Sequence, residues 1–349
     1  MANGDTSPSR PGQSNLSGSA LALFLKVFSG EVLATFEEMN VMAPLVSSRT
    51  IASGKSAQFP VLGRASAFYH QSGQNIADAG NSLLSLIPAA ERVINIDNML
   101  ASAVVIDDLD EAMAHFEVRG PYARELGRAI AKRVDQLSLN TVILAARASA
   151  TITGLNGGSV ISTANMGTDG TVIAASLFTA AQKFDEKDVP KENRWAVISP
   201  AMLYALIQNP TTSTAGTSPT VSIASSGYPL LNRELSPGNG NYAKATMYEC
   251  AGIRLLTSNH IPSTNITSGD AFFGTGAGGA SANGNVYYGD FSKTKGVVFH
   301  TDAVGMVKLR DLRVSAAEKL ELLGTLTVAR LAMGMGILRP ECSVELAIP

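Results

Sequence analysis

Apolar and polar residues alternate most clearly in two stretches, Ser53 to Arg64 (SGKSAQFPVLGR) and Glu91 to Arg119 (ERVINIDNMLASAVVIDDLDEAMAHFEVR). In the first, Phe59 and Val61 point one way while Gln58, Pro60 and Arg64 point the other. In the second, Ile94 and Ile96 alternate with Val93, Asn95 and Asp97. A period of two is the mark of a β-strand. The two stretches predict a long β-hairpin that returns into a buried strand and then a helix. Their connection, Gln71 to Ala89, is mostly polar and carries Gly73, Gly80 and Pro88. A two-stranded hairpin builds no core of its own and is marginal in water. It must lie on another surface, and a neighbouring copy of the same chain supplies one. The pattern points to an assembly protein rather than a self-contained enzyme.

Helical spacing dominates elsewhere. Met1 to Ser19 is polar, rich in Ser, Gly and Pro, and predicts a loose or disordered tail. In Leu21 to Met39 that follows, Leu21, Leu25, Phe28, Val32 and Phe36 share one face, although Gly30 weakens the helix. After a loose tail, such a stretch suits an arm that docks on a neighbour; an ordinary core helix would carry the same stripe. The strongest helix spans Pro121 to Ala150. Pro is favourable in the first turn, where its missing N–H would be unpaired anyway. Tyr122, Leu126, Ile130, Val134, Leu137, Thr141 and Leu144 form its apolar stripe; Arg124, Glu125, Arg128, Lys132 and Asp135 lie off it. At this length the helix runs about 45 Å and needs a sheet or a neighbour along all of it.

The rest alternates. Thr151 to Gly170 is a Gly/Ser/Thr/Asn-rich connection. Thr171 to Phe184 predicts an amphipathic helix, Trp195 to Ser199 a buried strand, Pro200 to Asn209 a helix, and Cys250 to Ser258 a strand. Thr211 to Tyr242 is turn-rich. These elements make a compact α/β unit. Gly296 to Val314 and Leu326 to Leu331 predict strands that return to pack on the long helix.

Composition narrows the class. The 349 residues allow about two domains or one large one. Lys and Arg number 27 against 29 Asp and Glu, so the net charge is −2 and no basic run stands out. A protein that grips nucleic acid through its phosphates would carry such an excess or patch. The two cysteines, Cys250 and Cys342, form no CxxC pair and predict reduced, buried thiols. The N-terminus lacks the basic-then-apolar layout of a signal peptide. The apolar run from Ala20 to Leu25 is stopped by Lys26, far short of a membrane span. A soluble, cytoplasmic chain is expected.

Candidate chemistry is sparse. Gly54-Lys55-Ser56 resembles the end of a phosphate-binding loop, but the glycine required five residues earlier is Arg49, and a strand with Pro60 follows instead of a helix. Gly274, Gly276 and Gly279 match GxGxxG without the strand–turn–helix context, and read better as a surface loop. Asp107, Asp108, Asp110 and Glu111 could bind a divalent metal; a helix N-terminus, where carboxylates meet free amides, accounts for them better. His70, His115, His260 and His300 are scattered and complete no catalytic arrangement. No catalytic residue, cofactor or metal site is expected.

The hairpin stretches, together with Leu21 to Phe36 (LALFLKVFSGEVLATF), Asp302 to Leu312 (DAVGMVKLRDL) and Arg330 to Glu341 (RLAMGMGILRPE), resemble the major capsid family of T7-like podoviruses, the short-tailed bacteriophages. The matches keep their order and lie in both halves of the chain. Ala150 to Gly284 resembles the family loosely, and the first eighteen residues show no resemblance.

The resemblance implies an α+β, HK97-like capsid fold. Its parts would be an N-terminal arm (1–52), an extended hairpin or E-loop with its return strand (53–106), a peripheral domain with the spine helix (107–170), an α/β axial domain (171–285), and returning strands of the peripheral domain with a C-terminal segment (286–349). It implies hexamers and pentamers closed into an icosahedral, T=7 shell around double-stranded DNA. A container need not grip DNA, so near-neutral charge fits. Phe24, Phe28, Phe59, Arg64, Phe68, Tyr69 and Arg92 would contact neighbouring copies. A scaffolding protein, a portal and a decoration protein would be partners, with no membrane involved. The chain would be a virion component assembled in the bacterial cytoplasm. Some shells of this fold cross-link through a Lys–Asn isopeptide; no such pair is assigned here, and non-covalent assembly is expected. Two other readings stay open: an encapsulin-like compartment, and a soluble α/β enzyme with a site in the 211–284 loops.

Overall fold

The computed structural model describes residues 41–73, 75, 87–107, 119–152, 154–208, 240–241, 246–247, 249–267, 285–319, 321 and 324–349. In chain order the elements begin with strands β1 (Ser47–Thr50), β2 (Ser56–Leu62), β3 (Ala89–Asn95) and β4 (Leu100–Asp107), then helix α1 (Arg119–Arg147). Strand β5 (Ser159–Ser162), helix α2 (Gly170–Glu186), strand β6 (Arg194–Ile198) and helix α3 (Pro200–Gln208) follow. Short strands β7 (Gly240–Asn241), β8 (Thr246–Met247), β9 (Glu249–Cys250), β10 (Ile253–Thr257), β11 (Asn265–Ile266) and β12 (Gly289–Asp290) lead to β13 (Thr294–His300), β14 (Val304–Lys319), β15 (Gly324–Ile337) and β16 (Ser343–Ala347).

Two sheets organise the chain. One has the order β1-β14-β15-β4, and the other β5-β16-β13-β6-β10-β9. Helix α1 packs on β4, β14 and β15 of the first and on β16, β13 and β5 of the second. It thus joins the two sheets, and one buried cluster runs from Ile130 and Val134 through Ile143 to Val298, Phe299 and Leu346.

The long helix differs from expectation in three ways. It starts at Arg119 and ends at Arg147, where the expected span was Pro121 to Ala150. At its C-terminal end the Gly158 N–H donates to the Ala148 carbonyl at 2.9 Å. A side chain on Gly158 would run into the carbonyls of Ala145 and Ala146, so the chain crosses the helix end where only Gly fits. Secondly, the stripe broadens. Ile130 and Val134 are buried as expected, but Ser138, Leu139, Asn140, Val142, Ile143, Ala145 and Ala146 are buried as well, because both sheets close over this half. The side chains of Tyr122 and Leu126 lie outside the described residues. Thirdly, Asp135, expected on the polar side, is fully buried. Its carboxylate accepts from the backbone N–H groups of Val41 at 3.1 Å and Met42 at 3.0 Å, and stands 3.2 Å from His260 Nδ1. Burial raises its pKa, against the pull of those donors.

Helix α2 matches its expected span closely. Its N-cap is Asp169, whose carboxylate accepts from Thr171 N–H at 2.9 Å and from Thr171 Oγ1 at 2.5 Å. Its apolar face, Ile173, Leu177, Ala180 and Phe184, is buried. Asp169→Ala removes the acceptor for the first-turn amides and will lower stability by about 1 kcal/mol in equilibrium urea unfolding. The Thr171 hydrogen bond holds the Asp169 carboxyl below its ordinary range. Its contribution is therefore present above the unfolded carboxyl's pKa and fades as pH falls through the folded one.

Expected strands are also subdivided. The 250–258 strand is β9 and β10 with a two-residue turn between them. Cys250 pairs with Ile253, and the turn residues Ala251 and Gly252 have φ of 55° and 74°, the left-handed values a tight hairpin requires. The Gly/Ser/Thr/Asn-rich connection contains β5, which pairs in parallel with β16. The 296–314 strand is broken by a 3-10 turn at Thr301–Ala303. Its first part, β13, pairs with β6 and β16; its second, β14, pairs with β15 and β1. The returning strands expected for 286–349 therefore divide between both sheets.

Candidate inter-subunit surfaces

The hairpin forms as its alternation predicts. Strands β2 and β3 pair antiparallel from Ser56 opposite Asn95 to Leu62 opposite Ala89. One face carries Ala57, Phe59, Val61, Ala90, Arg92 and Ile94; the other carries Gln58, Pro60, Leu62, Ala89, Glu91 and Val93. The first face turns inward at its foot, where Ala57 and Ile94 are buried with Ile96, Val307 and Leu338. The second face stands in solvent. Gly54, with φ of 109°, turns the chain into β2, so Gly54-Lys55-Ser56 opens a strand.

The foot of the hairpin is clamped on the β14–β15 pair. Gly305 and Gly336 are directly opposite in register, and Ile94 lies over both. Beside them, Asn95 passes over Gly334. Asn285 Nδ2 donates to the Asn95 carbonyl at 2.7 Å and to Asp97 Oδ1 at 2.8 Å. The Tyr287 hydroxyl donates to Asp97 Oδ2 at 2.5 Å and accepts from Met335 N–H at 2.9 Å. Asp97 N–H donates to the Met333 carbonyl at 3.0 Å. Burial and the neighbouring Asp97 carboxylate hold the Tyr287 hydroxyl well above its ordinary pKa, so it keeps its proton and remains the donor. None of Asn285, Tyr287 or Asp97 was singled out from sequence as part of a site. The available signal was the Gly334-Met335-Gly336 alternation, a strand with one bare face.

Beyond the foot the hairpin meets the body at Arg92, beside Thr151, and at Arg64, beside Asp188. A cleft of about 360 Å³ opens beneath it, lined by Phe59, Val61, Leu155, Leu338 and Arg339 among others. Apolar side chains are exposed along it: Leu62, Phe68, Ile87 and Val93 by half or more, and Tyr69 completely. An exposed apolar group of this size on one projection marks an interaction surface.

The interface residues expected from sequence fall into three groups. Phe68 and Tyr69 are exposed on the hairpin loop. Phe59, Arg64 and Arg92 make contacts within the chain. Phe59 is half-buried beneath the Arg49 guanidinium, 5.8 Å from its ring centre. Arg64 pairs with Asp188 at 3.1 Å, both ends solvated, and Arg92 donates to Thr151 Oγ1 at 3.1 Å. Phe24 and Phe28, with the 1–40 arm, lie outside the described residues, as do His115, three carboxylates of the 107–111 cluster, the 274–279 glycines and most of the 211–242 segment. Of the remaining histidines, His70 is exposed, His260 faces Asp135, and His300 Nδ1 accepts from Asp302 N–H at 3.2 Å. Cys250 and Cys342 are buried free thiols whose pKa values burial pushes up to about 11 and about 12. Both therefore stay protonated.

The matched family model, "Gp10A-like: Major capsid protein", covers residues 58–347. This chain belongs to the Gp10A-like major capsid protein family. It is 32% identical to the major capsid protein of Escherichia phage T7 over 93% of this chain and 92% of that one. Its structure is similar to the capsid of cyanophage P-SCSP1u, with 34% identity, a TM-score of 0.74 and 99% of each chain covered. The mature capsid of bacteriophage PhiM1 shares the fold at 18% identity and a TM-score of 0.66, over 93% of this chain and 91% of that one. The architecture is the HK97-type capsid fold, and the capsid chain is a virion component that assembles with copies of itself. Among the described residues no helix is long and apolar enough to cross a membrane.

Proposed function

We propose that this capsid chain acts without catalysis, as the repeating subunit of a short-tailed phage head. Copies associate as hexamers and pentamers, and these close into an icosahedral shell around double-stranded DNA. The observation that carries the proposal is the hairpin: clamped at its foot, and half or more exposed at the apolar side chains of Leu62, Phe68, Tyr69, Ile87 and Val93. A soluble monomer would gain nothing from exposing these side chains, whereas a neighbouring copy would bury them. The four-stranded sheet with α1 forms the peripheral domain. The axial domain is the six-stranded sheet with α2 and α3, and it draws β13 and β16 from beyond residue 285. A scaffolding protein and a portal guide closure in the bacterial cytoplasm, and a decoration protein can join the finished shell. The DNA is enclosed, not gripped.

The test is negative-stain microscopy of the expressed chain, with and without a scaffolding protein. Closed shells of uniform size are expected. Deleting residues 71–87 and joining the arms by a short Gly-Ser turn should leave subunits folded by circular dichroism but reduce shells at least tenfold. Small discrete oligomers from the intact chain would refute the capsid role. Normal shells from the deletion would refute the role of the hairpin.

A further inference from the structure

The long sheet carries an arginine pad whose construction is visible in its register. In β15, Ala329 and Leu331 face the core, so Arg330 between them faces outward and is exposed. In β14, Arg313 is directly opposite Arg330, and Arg310 is opposite Ala332, two residues along the same face of β15. Residues three apart on a regular strand point to opposite faces. Arg310 and Arg313 share a face only because the register shifts between them; a second shift lies between Lys308 and Arg310. Each inserts an extra residue into β14 and re-aims the side chain after it.

Two bulges within a few residues thus bring three arginines to one exposed face, with their Cα atoms within about 10 Å of one another. None forms an ion pair or hydrogen bond with any described residue. Arg313 and Arg330 are like charges directly opposed, which destabilises a sheet unless an anion sits between them. On β4 the pad is flanked by exposed Ala101, directly opposite Arg330, and by exposed Ala103 two residues along.

The geometry points to this pad as a docking surface for carboxylates of a second copy of the chain. The inference rests on the capsid reading and names one contact within it. Arginine beside small apolar patches is the composition of a protein interface. A surface for duplex DNA would be far more basic than this chain, which has a net charge of −2. Guanidinium forks fit carboxylates in pairs and keep their charge at any working pH.

The experiment compares the intact chain with Arg313→Glu/Arg330→Glu and Arg313→Lys/Arg330→Lys, each expressed with a scaffolding protein and assayed by sedimentation and microscopy. The Glu pair is expected to fold and yield at least tenfold fewer shells. The Lys pair should assemble but fall apart at a lower salt concentration than the parent. If the Glu pair lowers the melting temperature, Arg313→Gln/Arg330→Gln carries the test, with the same loss of shells expected. Parent-like yield and salt resistance in the Glu or Gln pair overturns the proposal. Parent-like yield with less DNA retained per particle also overturns it, in favour of phosphate as the anion. Failure of the parent to form shells would refute the capsid reading instead.

Discussion

Arg147→Ala will destabilise the unassembled subunit by about 3–5 kcal/mol, the usual cost of leaving one member of a buried ion pair alone. Arg147 is the last residue of α1, and its guanidinium grips β16 as a fork. Nε and Nη2 donate to the two Glu345 carboxylate oxygens, each at 2.6 Å. Nη1 donates to the Asp290 carbonyl at 2.6 Å, and Thr294 Oγ1 donates to Glu345 at 2.5 Å. The Glu345 side chain is 1% exposed, against 30% for Arg147. Truncating the arginine strands a buried carboxylate, while Glu345→Gln leaves a guanidinium that water still reaches. Glu345→Gln should therefore cost less, about 1–2 kcal/mol. Arg147→Met with Glu345→Leu should recover most of the loss, since an apolar pair replaces a buried ion pair at little cost. Equilibrium urea unfolding measures all three. If Arg147→Ala unfolds with the parent's midpoint, the pair does not anchor the helix to the six-stranded sheet.

Local periodicity made the elements legible, and distant pairing hid their assembly. The alternation through Phe59 and Ile94 showed the hairpin, but its apolar face was expected on a neighbouring copy. Instead, Ala57 and Ile94 at the foot are buried against this chain's own Val307 and Leu338. The α1 stripe was visible through Ile130 and Val134. Asp135 was misplaced because its partners, the Val41 and Met42 amides, lie some ninety residues earlier, and helical spacing records nothing about them. Glu345 read as one polar residue in the final segment, but its meaning depends on Arg147, 198 positions away. The division of β13 and β14 between two sheets hinges on a three-residue turn at Thr301–Ala303, too short to register as a break in the strand pattern. The arginine pad required the register itself, because by count alone Arg310 and Arg313 belong to opposite faces.

Gly334→Ala should unseat the hairpin, although it adds a single methyl group. The new Cβ would overlap the Asn95 carbonyl oxygen, lie 2.9 Å from the Asn95 carbonyl carbon and 3.1 Å from Asn285 Nδ2. These neighbours cannot move aside cheaply. The Asn95 backbone is held by Asn285, and Ile94 is packed over Gly305 and Gly336. Either the foot lifts, breaking the Asn285 and Asp97 hydrogen bonds, or β15 bends away from β14. Overpacking of this kind costs about 1–3 kcal/mol, and each lost hydrogen bond about 1 kcal/mol more. A loss of about 3 kcal/mol in urea unfolding is therefore expected. Limited proteolysis should show faster cleavage between residues 63 and 88, because the loop loses its fixed base. Gly127→Ala is the control. Its Cβ meets nothing within 4 Å, so relief of the glycine penalty should stabilise α1 by up to about 1 kcal/mol. If Gly334→Ala matches the parent in both stability and protease resistance, the bare glycine face is not what seats the hairpin.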